Sequence, residues 1–133
     1  MSSVGDVRNI FRLDGRTAVI TGAGQGLGQA IAEGFSQFGA TVIVVDINEA
    51  NARNVADSIH SDGGSAHWFT CDVSDSAQVT HTVEQAFKIN GKVDILASIA
   101  GIASRSPAEE MSDEQWQQVV KVNLDGSWFF NRE

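Results

Sequence analysis

Residues 17–28, Thr-Ala-Val-Ile-Thr-Gly-Ala-Gly-Gln-Gly-Leu-Gly, decide how this chain is read. Thr17–Thr21 is a short apolar run that follows the turn-like Leu13-Asp14-Gly15-Arg16, and it reads as a strand. Glycines at 22, 24, 26 and 28 come next. Leu27, Ile31, Phe35 and Phe38 then recur at intervals of four and three, the face of a helix that Gly39 ends. A chain that turns abruptly from strand to helix needs residues without Cβ. The turn brings the first N–H groups of the helix, and the positive end of its dipole, to one point suited to a pyrophosphate. Gly28 would let the helix pack closely on the sheet. A glycine-rich turn with no ligand is the plainer alternative, but four alternating glycines cost more chain entropy than a mere turn requires. The spacing is G-x-x-x-G-x-G, with Leu27 standing where G-x-G-x-x-G would place its third glycine. A nucleoside-triphosphate loop is excluded, because Gly28 is followed by Gln29-Ala30 and not by Lys-Ser/Thr.

Working outward, Thr41–Val45 (TVIVV) is almost wholly β-branched, as strands covered by helices on both faces are. From Asn48 a second helix places Ala52, Val55, Ala56 and Ile59 together and closes at Asp62-Gly63-Gly64. Ala66–Cys71 reads as a third strand, and Val79, Val83, Ala86 and Phe87 mark a third helix punctuated by Asn90-Gly91. Val93–Ala97 is a fourth strand. Beyond Pro107, Ser112 and Gln115 form a capping box at the start of a fourth helix, with Met111 placed to staple against Trp116. Trp116, Val120, Asn123 and Ser127 then share one face, flanked by Val119 and Leu124. Trp116, Trp128, Phe129 and Phe130 read as packing material. Strands alternating with helices predict an α/β fold, a Rossmann-like doubly wound parallel sheet. The whole of 1–133 forms one partial nucleotide-binding domain, truncated after about four strands and four helices.

Asp46 stands at the carboxyl end of the second strand. A carboxylate there can accept hydrogen bonds from both hydroxyls of an adenosine ribose and would repel a 2′-phosphate. No arginine or lysine lies beside it or in the glycine loop, and the nearest downstream is Arg53, so NAD is favoured over NADP. A helix-capping or solvent-facing aspartate is the alternative.

These residues resemble the short-chain dehydrogenase/reductase family over essentially all 133 residues, about the first half of such an enzyme. Thr21, Gly22, Gly26 and Gly28 match its T-G-x-x-x-G-x-G loop, in which Gln25 and Leu27 stand at the helix start. Asp46 matches the acidic residue of NAD users. Cys71-Asp72-Val73 matches the site after strand three, where the resemblance implies that Asp72 meets the adenine amino group and Val73 packs on the ring. Ala97-Ser98-Ile99-Ala100-Gly101 matches the Asn-Asn-Ala-Gly segment in part. Ala100 and Gly101 agree, whereas Ser98 and Ile99 replace the two asparagines. Serine still offers one hydroxyl bond and isoleucine none, so the loop is expected to be less well braced. Asn123, in Lys-Val-Asn-Leu-Asp-Gly, matches the family's structural and catalytic asparagine, which helps hold an active-site lysine through a water. From position alone, Asn123 reads first as a satisfied, slightly exposed amide.

The resemblance implies an oxidoreductase that passes hydride between NAD and a secondary alcohol or its ketone, a sugar alcohol being the first choice and a 3-oxoacyl thioester the runner-up. It also implies homotetramers or homodimers. The rest of the family's relay is a serine, a tyrosine and a lysine four residues after it, and this chain holds no tyrosine. The isolated chain is therefore expected to be inactive as a dehydrogenase. A non-catalytic nucleotide-binding or interaction module is the other reading.

Composition narrows the classes further. A net charge of -8, with no basic cluster, disfavours nucleic acid and anionic membranes. No apolar run approaches the ~20 residues of a membrane span, and Met1–Arg8 lacks the apolar core of a signal peptide. A single cysteine gives no sign of an oxidising compartment, so a cytoplasmic location is the default expectation. His60, His67 and His81 form no recognisable metal motif, and none is expected. Cys71 reads as a buried strand-end thiol.

Overall fold

The computed structural model describes residues 7–133, so the first six residues of the polar N-terminal segment read above lie outside it. Strands β1 (Thr17–Thr21), β2 (Thr41–Asp46), β3 (Ser65–Thr70) and β4 (Ile95–Ser98) form one parallel sheet in the order β3-β2-β1-β4. Helices α1 (Gly26–Gln37), α2 (Glu49–Ser61) and α3 (Ser76–Asn90) make the crossovers. A final rod contains α4 (Asp113–Val120) and α5 (Gly126–Arg132). The expected architecture is the one observed.

The β-branched runs owe their lack of alternation to burial on both faces. Val42, Ile43, Val44 and Val45 are all fully buried. Successive side chains point to opposite sides of a strand. Ala18, Ile20, Val42 and Val44 accordingly pack with Ala32, Ala52 and Val55 in one layer. Val19, Ile43 and Val45 pack with Cys71, Val79 and Phe130 in the other. A solvent-exposed face would have shown itself as polar residues at every second position, and none occurs here.

Side-chain caps fix three helix starts. Asn48 accepts from Asn51 N at 3.0 Å, Asp75 from Ala77 N at 2.9 Å, and Ser112 and Gln115 form the expected reciprocal box. The strand boundaries differ by one or two residues from those read in the sequence, for β3 and β4 in particular.

The fourth helix departs more substantively from expectation. It is not continuous: Lys121–Asp125 form a π-helical turn in which Gly126 N–H donates to the Lys121 carbonyl five residues back. The wider turn shifts the register, so beyond it Gly126 and Phe130 are the buried positions. Gly126 lies against Val73, where a Cβ would stand 2.8 Å from Val73 Cγ2. Trp116 and Trp128 are 60% and 61% exposed and do not act as core packing. Among the described residues no helix is long and apolar enough to cross a membrane.

Candidate cofactor-binding site

From β1 the chain moves outward to β2 and β3, then returns to place β4 on the other side of β1. Loops at the carboxyl ends of β1 and β4 diverge at this switch point and leave a crevice. A cleft of about 690 Å³ opens there. Gly22, Gln25, Gly26, Leu27 and Gly28 line it, as do Asp46, Asp72 and Val73 at the tips of β2 and β3, and Ala100 and Gly101 after β4.

The glycine loop is built by close approach. Gly22 has φ +64°, and a Cβ there would stand 2.7 Å from Ala100 Cα. At Gly28 a Cβ would meet the Gly22 carbonyl group, so the helix start and the loop are in backbone contact. Gly24 lies against Asp46, where a Cβ would be 2.8 Å from the carboxylate. Alpha-1 begins without a side-chain cap: Gln25 is extended and makes no capping bond, unlike Asn48, Asp75 and Ser112. Its first-turn N–H groups therefore face the cleft's mouth without a side-chain acceptor among the described residues.

Asp46 joins the loop to β2. Its Oδ2 accepts from Gly24 N at 2.9 Å and its Oδ1 from Asn48 N at 2.9 Å. An ionised carboxylate has about four acceptor positions, so each oxygen retains capacity for a sugar hydroxyl. Among the described residues, two acidic side chains and no lysine or arginine line the cleft.

Ser98 departs from expectation. It does not line the cleft, and its enclosed hydroxyl has no hydrogen-bond partner among the described residues. Ser98 is the last residue of β4, and the wall of the cleft starts one position later, with Ile99. The bracing role expected of it passes to Thr21, whose Oγ1 accepts from Ile99 N at 3.1 Å and Ala100 N at 3.2 Å.

Asn123 sits in the π turn and does not line the cleft. Its amide grips the loop after β4 from both sides: Oδ1 accepts from Ile102 N at 2.9 Å, and Nδ2 donates to Ile102 O at 3.0 Å. Its partners are thus backbone groups next to Gly101, where a Cβ would stand 3.4 Å from Asn123 Oδ1.

Cys71 is buried as read, and burial raises its thiol pKa despite a bond to Thr82, which works against a nucleophilic role. Sequence reasoning missed Ile47, Ile102, Gln118 and Val122, which also line the cleft. Ile47 carried a signal, being an apolar residue between Asp46 and Asn48, and both Ile47 and Ile102 are exposed, at 68% and 43%. Gln118 and Val122 carried none, since only the packing of the final rod brings them to the cleft.

Residues 16–133 match the family model of the short chain dehydrogenases, and the chain belongs to that family of oxidoreductases. It is 39% identical over 118 residues to a D-threitol dehydrogenase of Mycolicibacterium smegmatis, covering 89% of this chain and 45% of the relative. It is 40% identical over 127 residues to a versicolorin reductase of Emericella nidulans, covering 92% and 47%. Among solved structures, a hydroxysteroid dehydrogenase from Escherichia coli superposes with a TM-score of 0.90 at 35% identity, covering 96% of this chain and 53% of that one. A gluconate 5-dehydrogenase from Burkholderia cenocepacia, in complex with NADP and tartrate, superposes with a TM-score of 0.88 at 35% identity, covering 96% and 50%. The chain spans about half the length of these relatives.

Proposed function

We propose that this chain supplies the NAD-binding part of an oxidoreductase that moves hydride between NAD and a secondary alcohol or its ketone, with a sugar alcohol as substrate class. The single observation that carries the cofactor reading is Asp46, held at the tip of β2 by Gly24 N and Asn48 N in a cleft that no basic side chain of the described residues lines. The chain's residues fit a dinucleotide. A backbone cradle that side chains would fill at Gly22 and Gly28 adjoins an uncapped helix start. The first turn of α1 would hold the pyrophosphate, Asp46 the adenosine ribose, and Asp72 and Val73 the adenine. When bound, NAD supplies the hydride acceptor. Thr21 and Asn123 keep the loop after β4 in place, next to where the reacting end of the cofactor would lie.

The gluconate 5-dehydrogenase neighbour holds NADP, so the choice between the cofactors rests on this chain's own residues. A 2′-phosphate would meet the Asp46 carboxylate with no cation among the described lining residues to offset the repulsion. The polyol reading draws on the likeness to a D-threitol dehydrogenase. Trp116, Leu124 and Trp128, at 60%, 64% and 61% exposed, support assembly as a homodimer or homotetramer through the final rod.

Calorimetric titration with NAD and NADP tests the proposal. The protein should bind NAD more tightly, and Asp46→Ala should weaken NAD about ten-fold more than it weakens NADP, the worth of a charge-assisted hydrogen bond. Both affinities will fall somewhat, because Asp46 also ties down Gly24. The ratio is the diagnostic quantity, and equal losses would refute the assignment.

A further inference from the structure

We infer that Ser74 is a positioning residue for base recognition: its hydroxyl fixes the Asp72 carboxylate so that the site selects a 6-aminopurine over a 6-oxopurine. The inference rests on the proposed reading that the adenosine half of NAD occupies the cleft.

The segment after β3 is a tightly bonded turn. Asp75 N donates to the Asp72 carbonyl at 3.0 Å, and Asp72 N donates to Gln78 Oε1 at 3.0 Å. Gln78 Nε2 in turn donates to Asp75 Oδ2 at 3.0 Å, and Asp75 caps α3. The Asp72 backbone is therefore anchored to the first turn of a helix. Its side chain is anchored separately: Oδ1 accepts from Ser74 N at 2.9 Å and from Ser74 Oγ at 2.7 Å. Ser74 is 8% exposed, so water does not compete freely for its hydroxyl. Oδ2 accepts nothing from the described residues, and Asp72 lines the cleft beside Val73.

These bonds give the two carboxylate oxygens different tasks. An ionised carboxylate only accepts. The oxygen left over after Ser74 is served attracts the amino group on C6 of adenine and repels the oxygen on C6 of hypoxanthine or guanine. The terminal torsion of an aspartate is broad, so one bond to a backbone N–H leaves the carboxylate free to swing. A second, short, charge-assisted bond from the hydroxyl removes that freedom. Base selectivity then depends on Ser74, although Ser74 need never touch the base.

The test compares affinities for NAD and for nicotinamide hypoxanthine dinucleotide, which differ only at and around C6 of the purine. Wild-type protein should prefer NAD by about ten-fold, the worth of one good base contact. Ser74→Ala should reduce that preference roughly five-fold, and Ser74→Thr, which keeps the hydroxyl, should restore most of it. A merely structural role would weaken both dinucleotides in proportion, leaving the ratio unchanged. Asp72→Asn separates the two levels of argument, because an amide can donate to the hypoxanthine oxygen and should abolish the preference. If Asp72→Asn moves the ratio and Ser74→Ala does not, the role of Ser74 is refuted and the cofactor reading stands. A ratio that neither variant moves overturns both.

Discussion

The two ends of the sheet are built on opposite principles. At the amino ends of the strands, side chains close the structure. Asp94 accepts from Thr17 N at 2.8 Å and from Arg16 Nη1 at 3.0 Å, and pairs with Lys92 at 3.4 Å. Asn90 Nδ2 donates to Thr17 Oγ1 at 3.0 Å, joining the end of α3 to β1. At the carboxyl ends, the Asp46 and Thr21 side chains also tie the loops, but around the start of α1 backbone lies directly against backbone. Ala23 N donates to Val45 O at 3.1 Å, glycines replace side chains where the loops meet, and α1 starts uncapped. An end whose donors are consumed internally holds strands in register, whereas an end that leaves donors free can bind an anion. The same sheet needs both, since the free donors are useful only if the strand tips that carry them stay in place.

The largest effect expected at the open end comes from Gly28→Ala. Its Cβ would stand 2.7 Å from the Gly22 carbonyl carbon, with backbone on both sides and no flexible atom to yield. A loss of about 3 kcal/mol in a urea melt is expected, together with loss of NAD binding. A variant of unchanged stability would show that the loop is not held by close packing.

The closed end should respond differently, through pH. The Thr17 N–H, followed by Arg16 and Lys92, lowers the pKa of Asp94 below the ordinary carboxylate range. A group with a depressed folded-state pKa contributes stability that is fully present above its unfolded pKa and is lost as pH falls through the folded value. Asp94→Asn should therefore lower Tm at neutral pH, with the gap from wild type closing in acid, while the affinity of the folded protein for NAD is unaltered. A gap that persists unchanged at low pH would remove the electrostatic explanation.

The smallest change sharpens the contrast most. Gln25 already has the extended backbone of an N-cap residue but makes no capping bond. Gln25→Asp supplies the missing acceptor and should stabilise the cofactor-free protein by about 1 kcal/mol. It should also weaken NAD binding, because a carboxylate then competes with the pyrophosphate for the same N–H groups. A gain in both stability and affinity would mean that this helix start is not the anion site.

Much of the site was legible because its signals are local. Turn geometry demands glycine at 22, close packing demands it at 28, and an acid at the end of a β-branched run is visible as Asp46. The capping box at Ser112 was legible for the same reason, since donor and acceptor lie within a few residues of each other. Ser98 was grouped with the cleft because its position matches that of an asparagine, whereas its place outside the cleft lining depends on where β4 ends. The final rod was read as one helix because periodicity cannot register a π turn, at which Gly126 lies against Val73 and Asn123 bonds Ile102.

The sequence by itself determined the order of strands and helices, the two-sided burial of β2, and the residue types at the glycine loop and the tip of β2. Each follows from periodicity, steric demand or charge within a short stretch of chain. Tertiary structure alone decided which side chains share the cleft and where the last helix widens. Those outcomes depend on contacts between residues dozens of positions apart, and no local pattern encodes them.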